Sequence, residues 1–344
     1  MPPNGGLWKV GARGGGLLPP RKGPCGRLDQ VEMKAVVFER NGGPEVLEYG
    51  DVPEPTPRAG QVVVDVEAVG VNFRDVYERE GPDYGQRPPA IIGVEGAGTV
   101  ANSGDRVAWV DVPNSYAERV ASDPGKLVAI PEGVSSELAA AAMLQGITAH
   151  FLAHESYPIQ NGDWVIVHAA AGGVGLLLTQ IANMLGAHVI ATTSTDEKAR
   201  LARDAGADEV LRYEGFAERA REIAGVEGVA AVYDGVGKTT FYEGLKALRP
   251  FGRMIVYGAA SGQPDPLPVS MLARHGSLYV QRPTMQTYTR TPELLRERAR
   301  RVFELVAQGK LVVRIGARYP LAQARQAHID LEARQTTGKI LLLP

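Results

Sequence analysis

The pattern of apolar and polar residues predicts a strand-rich first part of the chain. From residue 33 to about 121, short apolar runs are broken by Gly and Pro, and one run alternates apolar with acidic residues, as half-buried strands do. Strands are expected over residues 34–38, 62–69, 107–110 and 126–130. A segment rich in Ala and Leu over 136–149 then predicts a helix, with Ser135 and Ser136 available as N-caps.

The pattern next changes to apolar strands that alternate with helical segments. Six short strands are predicted, over residues 163–168, 188–192, 209–211, 229–233, 253–257 and 278–280. Helices are expected between most of them, and two of these cover residues 174–185 and 196–205. Alternation of this kind is typical of a doubly wound sheet of parallel strands.

The end of the chain is expected to return to the first, β-rich domain. A helix with charges at helical spacing is predicted over 292–308, followed by late strands over 312–315 and 339–343. The fold class is therefore α/β, with a doubly wound six-stranded parallel sheet inserted in a discontinuous β-rich domain. The predicted boundaries are 33–146 and 288–344 for the β-rich domain and 147–287 for the inserted domain.

Residues 1–32 differ from the rest of the chain. They are crowded with Gly and Pro, carry several basic residues and show neither helical nor strand periodicity. The segment lacks the continuous apolar core of a secretory signal, and it is too rich in Gly for a good amphipathic transit helix. We therefore expect a disordered extension upstream of the first strand and not a targeting signal.

Composition narrows the classes of protein that this pattern allows. The 344 residues are 44% hydrophobic and 22% charged, with a formal net charge of -2, which is ordinary for a soluble enzyme with two cores. No apolar run approaches the roughly 20 residues that cross a bilayer, and no basic stripe with interleaved aromatics marks a nucleic-acid surface. Cys25 is the only cysteine, which excludes an intrachain disulfide and a four-cysteine zinc site. We expect a cytoplasmic protein whose partners are neither nucleic acid nor membrane.

A glycine-rich turn joins the first strand of the alternating region to its helix. It reads His168-Ala-Ala-Ala-Gly172-Gly173-Val-Gly175. Gly172 allows a tight turn, Gly173 lets the backbone approach a pyrophosphate, and Gly175 permits close packing of helix on strand. The helix N-terminus presents free N–H groups and the positive end of its dipole to phosphates. A lone turn of this kind also fits an ordinary strand–helix connection, but in this context it predicts a dinucleotide site that includes Ala171 and Val174.

The end of the second predicted strand indicates which dinucleotide to expect. NAD sites usually carry Asp or Glu about 20 residues after the turn, to bind the ribose 2′-hydroxyl. Here the strand ends in Thr193 and Ser194, with no acidic residue among them. These hydroxyls, the nearby Lys198 and Tyr213 after the third strand can contact a 2′-phosphate instead. We expect NADPH, and the alternative is that the hydroxyls only cap the next helix while Lys198 is a solvated charge.

Two further glycine-rich turns follow the fourth and fifth predicted strands. The first contains Gly235 and Val236, and the second contains Gly258 and Ser261. Both lie at carboxyl ends of strands, where an open α/β sheet holds its ligand. We expect these residues to line the nicotinamide half of the site, and the alternative is a pair of ordinary turns.

Several short motifs occur together with the glycine turn. They are Gly70-Val-Asn72-Phe73-Arg-Asp75-Val-Tyr77, Gly104-Asp-Arg-Val107, Gly146-Ile-Thr148-Ala, Arg282-Pro283 and Thr337-Gly338-Lys339. With the turn, they resemble the quinone oxidoreductases of the zeta-crystallin type, within the medium-chain dehydrogenase/reductase family. The resemblance covers residues 33–344, and the Asn-Phe-x-Asp box is specific to this branch. It implies a GroES-like fold for the β-rich catalytic domain, NADPH in the cleft between the domains, and a homodimer.

The chain departs from zinc alcohol dehydrogenases at the position of the metal. Those enzymes carry Gly-His-Glu where this chain reads Gly93-Val94-Glu95, and no cysteine stands near Asn72. Val94 has no atom that binds a metal ion. We therefore expect a zinc-free enzyme.

Without zinc, other groups must stabilise the negative charge that arrives on the acceptor with hydride. Oriented hydrogen-bond donors in a dry cleft can do this. The resemblance implies that Asn72, Tyr77 and Thr148 face the nicotinamide and the substrate. Tyr77 would also donate a proton to an enolate if the acceptor is an α,β-unsaturated carbonyl. The alternative for each tyrosine is a half-buried loop residue whose hydroxyl binds water.

Three further residues are expected near the same cleft. Tyr84 would reach the substrate, and Asp75 would hold its loop by hydrogen bonds and not act as a base. Lys339, after Gly338, would help hold the cofactor phosphates, with a surface charge on a strand as the alternative.

The expected function is therefore NADPH-dependent, zinc-free reduction of quinones. An NADPH-dependent enone or enoyl-thioester reductase would use the same hydride donor and nearly the same residues. A non-enzymatic NADPH- or RNA-binding protein is the alternative from a different class, since fold does not settle function. An enone needs protonation at carbon, whereas a quinone does not, so loss of the Tyr77 hydroxyl should harm enone reduction more.

Overall fold

The computed structural model describes residues 31–81, 85–225 and 227–344. The expected extension over 1–32 lies outside the described residues except for Val31 and Glu32, and Glu32 already belongs to the first strand. Nothing in the structure therefore tests that extension.

The first part of the chain is rich in strands, as its alternating pattern predicted. Its elements are β1 (Glu32–Phe38), β2 (Leu47–Pro53), β3 (Val62–Val71), α1 (Phe73–Glu80), β4 (Ala90–Ile91), β5 (Glu95–Val100), β6 (Arg106–Val110), β7 (Arg119–Ser122), β8 (Leu127–Ala129) and α2 (Ser136–Phe151). Ser135 caps α2, because its side chain accepts a hydrogen bond from Leu138 N at 3.2 Å. Strands β1, β2 and β4 pair as a small three-stranded sheet.

The second part alternates strands and helices, which confirms the predicted doubly wound sheet. Its elements are β9 (Trp164–Val167), α3 (Gly173–Met184), β10 (His188–Thr192), α4 (Asp196–Asp204), β11 (Glu209–Leu211), α5 (Phe216–Ala224), β12 (Val229–Asp234), α6 (Phe241–Ala247), β13 (Leu248–Val256), α7 (Ser270–Arg274), β14 (Tyr279–Gln281) and α8 (Met285–Tyr288). The six strands are parallel, in the order β11-β10-β9-β12-β13-β14. Strand order reverses at β9, and ligands bind at the carboxyl ends of strands at such a switch point.

The last part of the chain returns to the sheet of the first part. Its elements are α9 (Pro292–Ala307), β15 (Ile315–Pro320), α10 (Ala324–Glu332) and β16 (Lys339–Leu343). They complete a seven-stranded sheet in the order β15-β16-β3-β5-β6-β8, with β7 paired to β3. The longest helices in the described ranges, α2 and α9, have 16 residues each, and no described helix combines the length and apolar character that a bilayer requires.

The strand predicted over 312–315 is misplaced, because β15 begins at Ile315. The backbone of Val312 is engaged elsewhere: its N–H donates to Gln180 Oε1 at 2.8 Å, and its carbonyl accepts from Gln180 Nε2 at 3.0 Å. A side chain on α3 thus satisfies the backbone groups that a strand would have offered to its neighbour.

Helix α1 stands where the sequence analysis expected a loop. The Asp75 carboxylate accepts a hydrogen bond from the Asn72 backbone N–H at 2.9 Å, which is one half of a capping box. Charged side chains of α1 are buried, including Glu78 and Arg79, so apolar residues alone do not mark the buried face of this helix.

Helix α2 lies between the two large sheets. It packs against β3, β5 and β6 on one side and against α3 and α9 on the other, and the side chains of Ala139–Ala142 are fully buried in the shared core. The predicted boundary between residues 146 and 147 falls inside α2, and Glu32–Pro344 forms one unit by its contacts. The domain boundaries therefore stay a prediction.

Candidate functional site

A cavity of about 430 Å³ opens at the carboxyl ends of β9, β10, β12 and β13. Its other walls come from α1, from the middle of α2 and from the segment between α10 and β16. The cavity therefore lies where strand order reverses in the parallel sheet, which is the place predicted for a dinucleotide.

The glycine turn forms the floor of this cavity. All five predicted residues of the turn line it: Ala171, Gly172, Gly173, Val174 and Gly175. A Cβ at Gly175 would stand 2.4 Å from the Ala169 carbonyl oxygen in the turn after β9, so close packing of α3 on the turn requires glycine there. The turn is also held from outside, because the Gly338 N–H donates to the Ala171 carbonyl at 3.0 Å. This fixed backbone presents the N-terminus of α3 to the cavity.

The predicted 2′-phosphate residues meet at one end of the cavity. Thr193, Ser194, Lys198 and Tyr213 all line it. Arg334, which follows α10, also lines this end, although no local motif in the sequence marks it. Lys198 Nζ donates to the Arg334 carbonyl at 2.5 Å, and burial followed by the Arg334 charge lowers the pKa of Lys198. Two neighbouring cations make this end of the cavity suited to an anion.

The alternative interpretation of the hydroxyl-rich strand end holds for one residue. Thr195 caps α4, because its Oγ1 accepts a hydrogen bond from Lys198 N at 3.2 Å. Ser194 is left to face the cavity. Capping of α4 and a phosphate pocket are thus compatible at this position.

The turns after β12 and β13 line the cavity only in part. Gly235, Val236 and Gly258 lie on its wall. Ser261 does not, which disagrees with its predicted cofactor contact: its hydroxyl donates to the Val236 carbonyl at 2.8 Å and accepts from Thr239 N at 3.1 Å. Ser261 therefore holds the shape of the turn from behind.

Asn72 lines the cavity, but its amide is engaged by the protein. Its Nδ2 donates to Glu95 Oε2 at 2.7 Å and to the Gly70 carbonyl at 3.2 Å, and its Oδ1 accepts from Lys339 Nζ at 2.8 Å. Both N–H groups are used, so the expected role as a donor to the acceptor does not fit this geometry. The side chain can instead accept a hydrogen bond through its oxygen.

Lys339 lies in the interior, so it is neither the predicted contact to the cofactor phosphates nor the alternative surface charge. Its Nζ lies 2.5 Å from Glu95 Oε2, and both side chains are fully buried. Glu95 also accepts from Leu144 N at 2.6 Å through its other oxygen. The lysine charge is thus neutralised by a buried carboxylate, and it neither faces the glycine turn nor lies on the surface. Glu95 joins β16, α2 and the start of α1.

Tyr77 and Thr148 line the cavity as expected, whereas Tyr84 lies outside the described residues. The backbone N–H of Ala259 donates to Tyr77 Oη at 3.0 Å. Since Ala259 lies in the turn after β13, this bond joins α1 to the carboxyl-end side of the parallel sheet. It also fixes the Tyr77 hydroxyl at the cavity wall.

Asp75 is fully buried and does not line the cavity, so its assignment to the substrate cleft is wrong. Its Oδ2 accepts from Asn72 N and from the Tyr116 hydroxyl, both at 2.9 Å. Burial raises the pKa of Asp75 to about 7, against the opposing charge of Arg74. The capping geometry turns this carboxylate toward the backbone, as its predicted structural role implies.

Other cavity residues received no role from the sequence. They include Phe73, Arg74, Leu144, Gln145, Phe151, Tyr257, Arg282, Met285 and Gln286. Gln145 lies directly over the glycine turn, since a Cβ at Gly173 would stand 1.9 Å from its Oε1. The regular helical pattern of α2 does not show that the Gln145 side chain faces the cavity.

The position of a zinc ligand is apolar in this chain. Val94 is 2% exposed, and among the described residues no group of three or more His, Cys, Asp or Glu side chains is placed to hold a metal ion. The zinc-free character stays a prediction that metal analysis decides.

Comparison with family models and known proteins covers nearly the whole described chain. A model described as "Alcohol dehydrogenase GroES-like domain" matches residues 58–236, and one described as "Zinc-binding dehydrogenase" matches residues 173–301. The chain is 41% identical over 323 residues to a quinone oxidoreductase of Pseudomonas aeruginosa, which covers 90% of this chain and 99% of that protein.

Two further proteins are similar over the same length. A 2-haloacrylate reductase from Burkholderia sp. is 37% identical over 330 residues, covering 91% of this chain and 99% of that protein. The crystal structure of Escherichia coli quinone oxidoreductase complexed with NADPH superposes with a TM-score of 0.88 at 37% identity, covering 90% of this chain and 100% of that one.

Proposed function

Because the chain belongs to the medium-chain dehydrogenase/reductase family, among the quinone oxidoreductases, we propose that it reduces quinones with NADPH as hydride donor. The observation that carries this proposal is the cavity at the switch point of the parallel sheet. It combines a glycine turn for a pyrophosphate with a cationic end for a 2′-phosphate.

The residues present fit NADPH. The N-terminus of α3 would hold the pyrophosphate, and Ser194, Lys198, Tyr213 and Arg334 would hold the 2′-phosphate through donated hydrogen bonds. When bound, NADPH supplies a hydride. The turns with Gly235 and Gly258 lie beyond the glycine turn and would leave room for the nicotinamide half.

The acceptor would bind in the apolar part of the cavity. Phe73, Leu144, Phe151 and Met285 line it with carbon atoms, and such a wall excludes water and suits a flat, uncharged ring. Exclusion of water strengthens every hydrogen bond made there.

We assign the stabilisation of developing negative charge to the hydroxyls of Tyr77 and Thr148. Both line the cavity, and the Ala259 N–H fixes Tyr77 Oη by a 3.0 Å bond, so no reorganisation is needed when charge develops. Asn72 would orient the ligand as a hydrogen-bond acceptor, because Glu95 and the Gly70 carbonyl engage both of its donors. No metal ion is required in this scheme, since Val94 replaces the histidine of the zinc enzymes.

A second candidate function is reduction of an activated carbon–carbon double bond. It is favoured by the Tyr77 hydroxyl in the cavity, which can protonate an enolate, and by the similarity to a protein named 2-haloacrylate reductase.

A panel of acceptors assayed with NADPH tests both candidates. Steady oxidation of NADPH with benzoquinones or naphthoquinones, and none with enones or 2-haloacrylate, would support the first. The reverse pattern would support the second. A protein that only binds NADPH or RNA would oxidise NADPH with no member of the panel.

We further propose that two copies pair through β14. This strand is the edge of the parallel sheet, and it exposes two apolar side chains, Tyr279 at 54% and Val280 at 38%. Phe251 is 70% exposed, and its N–H donates to the Gly276 carbonyl shortly before the strand. An edge strand with apolar neighbours suits self-association about a two-fold axis. Light scattering at twice the mass of the chain would support the homodimer.

A cytoplasmic location is proposed on the cysteine content. Cys25 is the only cysteine, so the chain cannot form an intrachain disulfide, and this is consistent with a reducing compartment. Fractionation of cells that express the protein tests this.

A further inference from the structure

Tyr257 occupies the cavity wall without an assigned role. It directly follows β13, at the carboxyl end of the strand. Its ring lies against the turn after β12, since a Cβ at Gly235 would stand 2.8 Å from Tyr257 Cζ and 2.9 Å from its Oη. Glycine at 235 therefore leaves the space in which the tyrosine hydroxyl extends along the cavity.

The Tyr257 hydroxyl has no hydrogen-bond partner among the residues that the structure describes. Other tyrosines in or near the core do have one: Tyr77 accepts from Ala259 N, Tyr116 donates to Asp75, and Tyr233 donates to a backbone carbonyl. Polar groups that lose water on folding are almost always paired. A hydroxyl at a cavity wall without a protein partner is therefore placed for a ligand.

The hydroxyl is available as a donor. Burial, and then the charge of Asp234, raise the pKa of Tyr257 well above its ordinary value, so the group stays protonated at physiological pH. Its proton can be directed at any acceptor atom that enters the cavity.

Strand order indicates which part of the dinucleotide it meets. Strands β10 and β11, whose ends carry Ser194 and Tyr213, lie on one side of β9, whereas β12 and β13 lie on the other. A dinucleotide extends across the switch point from one side to the other. With its 2′-phosphate beside Ser194, its nicotinamide half lies on the side of Tyr257.

We propose that Tyr257 is a cofactor-binding residue whose hydroxyl donates a hydrogen bond to an oxygen of the nicotinamide half of NADPH, and that it positions this half in the cavity. The inference rests on the proposed use of NADPH and adds a specific contact to it. The acceptor is a hydroxyl of the nicotinamide ribose or the carboxamide oxygen, and neither the nicotinamide ribose nor the carboxamide is part of the adenosine half.

The experiment compares two ligands on two matched variants. Tyr257→Phe removes the hydroxyl alone. The control, Tyr242→Phe, removes a hydroxyl that bonds the Asp265 and Pro266 carbonyls and does not line the cavity. The ligands are NADPH and adenosine 2′,5′-bisphosphate, which contains the 2′-phosphate and lacks the nicotinamide half. Dissociation constants are measured by calorimetric titration, without any acceptor.

Tyr257→Phe should weaken NADPH binding roughly tenfold, the effect of one neutral hydrogen bond to a desolvated partner. Adenosine 2′,5′-bisphosphate should bind both variants as it binds the wild type. The melting temperature of Tyr257→Phe without ligand should equal that of the wild type, because the hydroxyl has no partner in the protein to lose.

Three results would overturn the proposal. Unchanged NADPH affinity would remove the contact, and equal weakening of both ligands would place it in the adenosine half or in general damage to the site. A melting temperature lowered by several degrees would show that the hydroxyl bonds within the protein. Wild-type protein that binds NADPH but oxidises it with no quinone contradicts the proposed function alone, whereas wild type that binds no NADPH contradicts both.

Discussion

At the scale of single residues, cofactor choice depends on the side chain at position 194. A carboxylate at the end of β10 would bind a free ribose 2′-hydroxyl and repel a 2′-phosphate, whereas Ser194 beside Lys198 and Arg334 does the reverse. We expect the wild type to bind NADPH at least about tenfold more tightly than NADH at low salt, because hydrogen bonds to charged groups contribute roughly 1.5–3 kcal/mol.

Ser194→Asp should erase or invert that preference. Titration of both nucleotides against wild type and variant measures it, and added salt should narrow the gap by screening the phosphate. Equal binding of NADH and NADPH by the wild type would contradict the phosphate pocket and leave the glycine turn unaffected.

The buried pair of Lys339 and Glu95 gives a second prediction at this scale. Both side chains are fully buried, so Lys339→Met leaves a carboxylate charge in the interior and should cost about 3–5 kcal/mol of unfolding free energy. Adding Glu95→Gln removes the stranded charge and should recover a large part of this loss. Urea denaturation of the two variants measures the difference, and a double variant no more stable than Lys339→Met would argue against the ion pair.

Site residues could be predicted from the sequence where the signal is local, and could not where the role depends on a partner far away along the chain. The glycine turn and the end of β10 are local signals, and both could be predicted. Lys339 was misassigned because its partner Glu95 is 244 residues away, and Arg334 was missed because only the docking of α10 brings it to the cavity. Spacing alone carries no information on such pairs.

At the scale of elements, α1 depends on the protonation of Asp75. Burial raises the pKa of this carboxyl from its ordinary 3.8 to about 7 in the folded protein. At pH values between these two pKa values, Asp75 is ionised in the unfolded chain and protonated in the folded protein. The free energy of unfolding therefore falls as pH rises from about 4 to 7, and Asp75 lowers it no further above pH 7. His328 acts in the opposite sense, because burial lowers its pKa to about 3, and its contribution is lost as pH falls below 6.5.

Asp75→Asn isolates the carboxyl, because the amide oxygen can still accept from Asn72 N and Tyr116. Stability of the wild type relative to the variant should fall by up to about 4 kcal/mol between pH 4 and 7, which is the size of a shift of roughly three pKa units. Chemical denaturation of both proteins at pH 4.5 and 7.5 measures this. A difference that does not change with pH would show that Asp75 is ionised in the folded protein.

The element pattern shows where hydrophobic periodicity succeeds and where it fails. The inner strands β9, β10 and β12 of the parallel sheet are almost wholly buried, so each is a short apolar run that stands out from its neighbours. Helix α1 buries Asp75, Glu78 and Arg79 instead, and its capping box is the local signal of where it begins. The N-cap of α1, Asn72, lines the cavity, so the helix with buried charged side chains is also the helix that positions a site residue.

At the scale of the whole molecule, the predicted fold class and the resemblance to medium-chain quinone oxidoreductases are confirmed. The topology follows from the sequence because alternating strands and helices allow few arrangements. The substrate does not follow, since the acceptor wall comes from α1, α2 and α8, which are far apart in sequence. The shape of this acceptor wall exists only after the chain has folded.

Metal independence is the prediction that belongs to this scale. The zinc enzymes of the family place a histidine before the glutamate, whereas here Val94 is buried and Glu95 is neutralised by Lys339. A carboxylate that already has an ammonium partner, a backbone donor and an amide donor has no free charge to offer a metal ion. Turnover of NADPH with a quinone should therefore be unchanged after exhaustive chelation, and elemental analysis of the purified protein should find no stoichiometric zinc. One tightly bound zinc per chain, with activity lost on its removal and restored on its return, would overturn this account of the site.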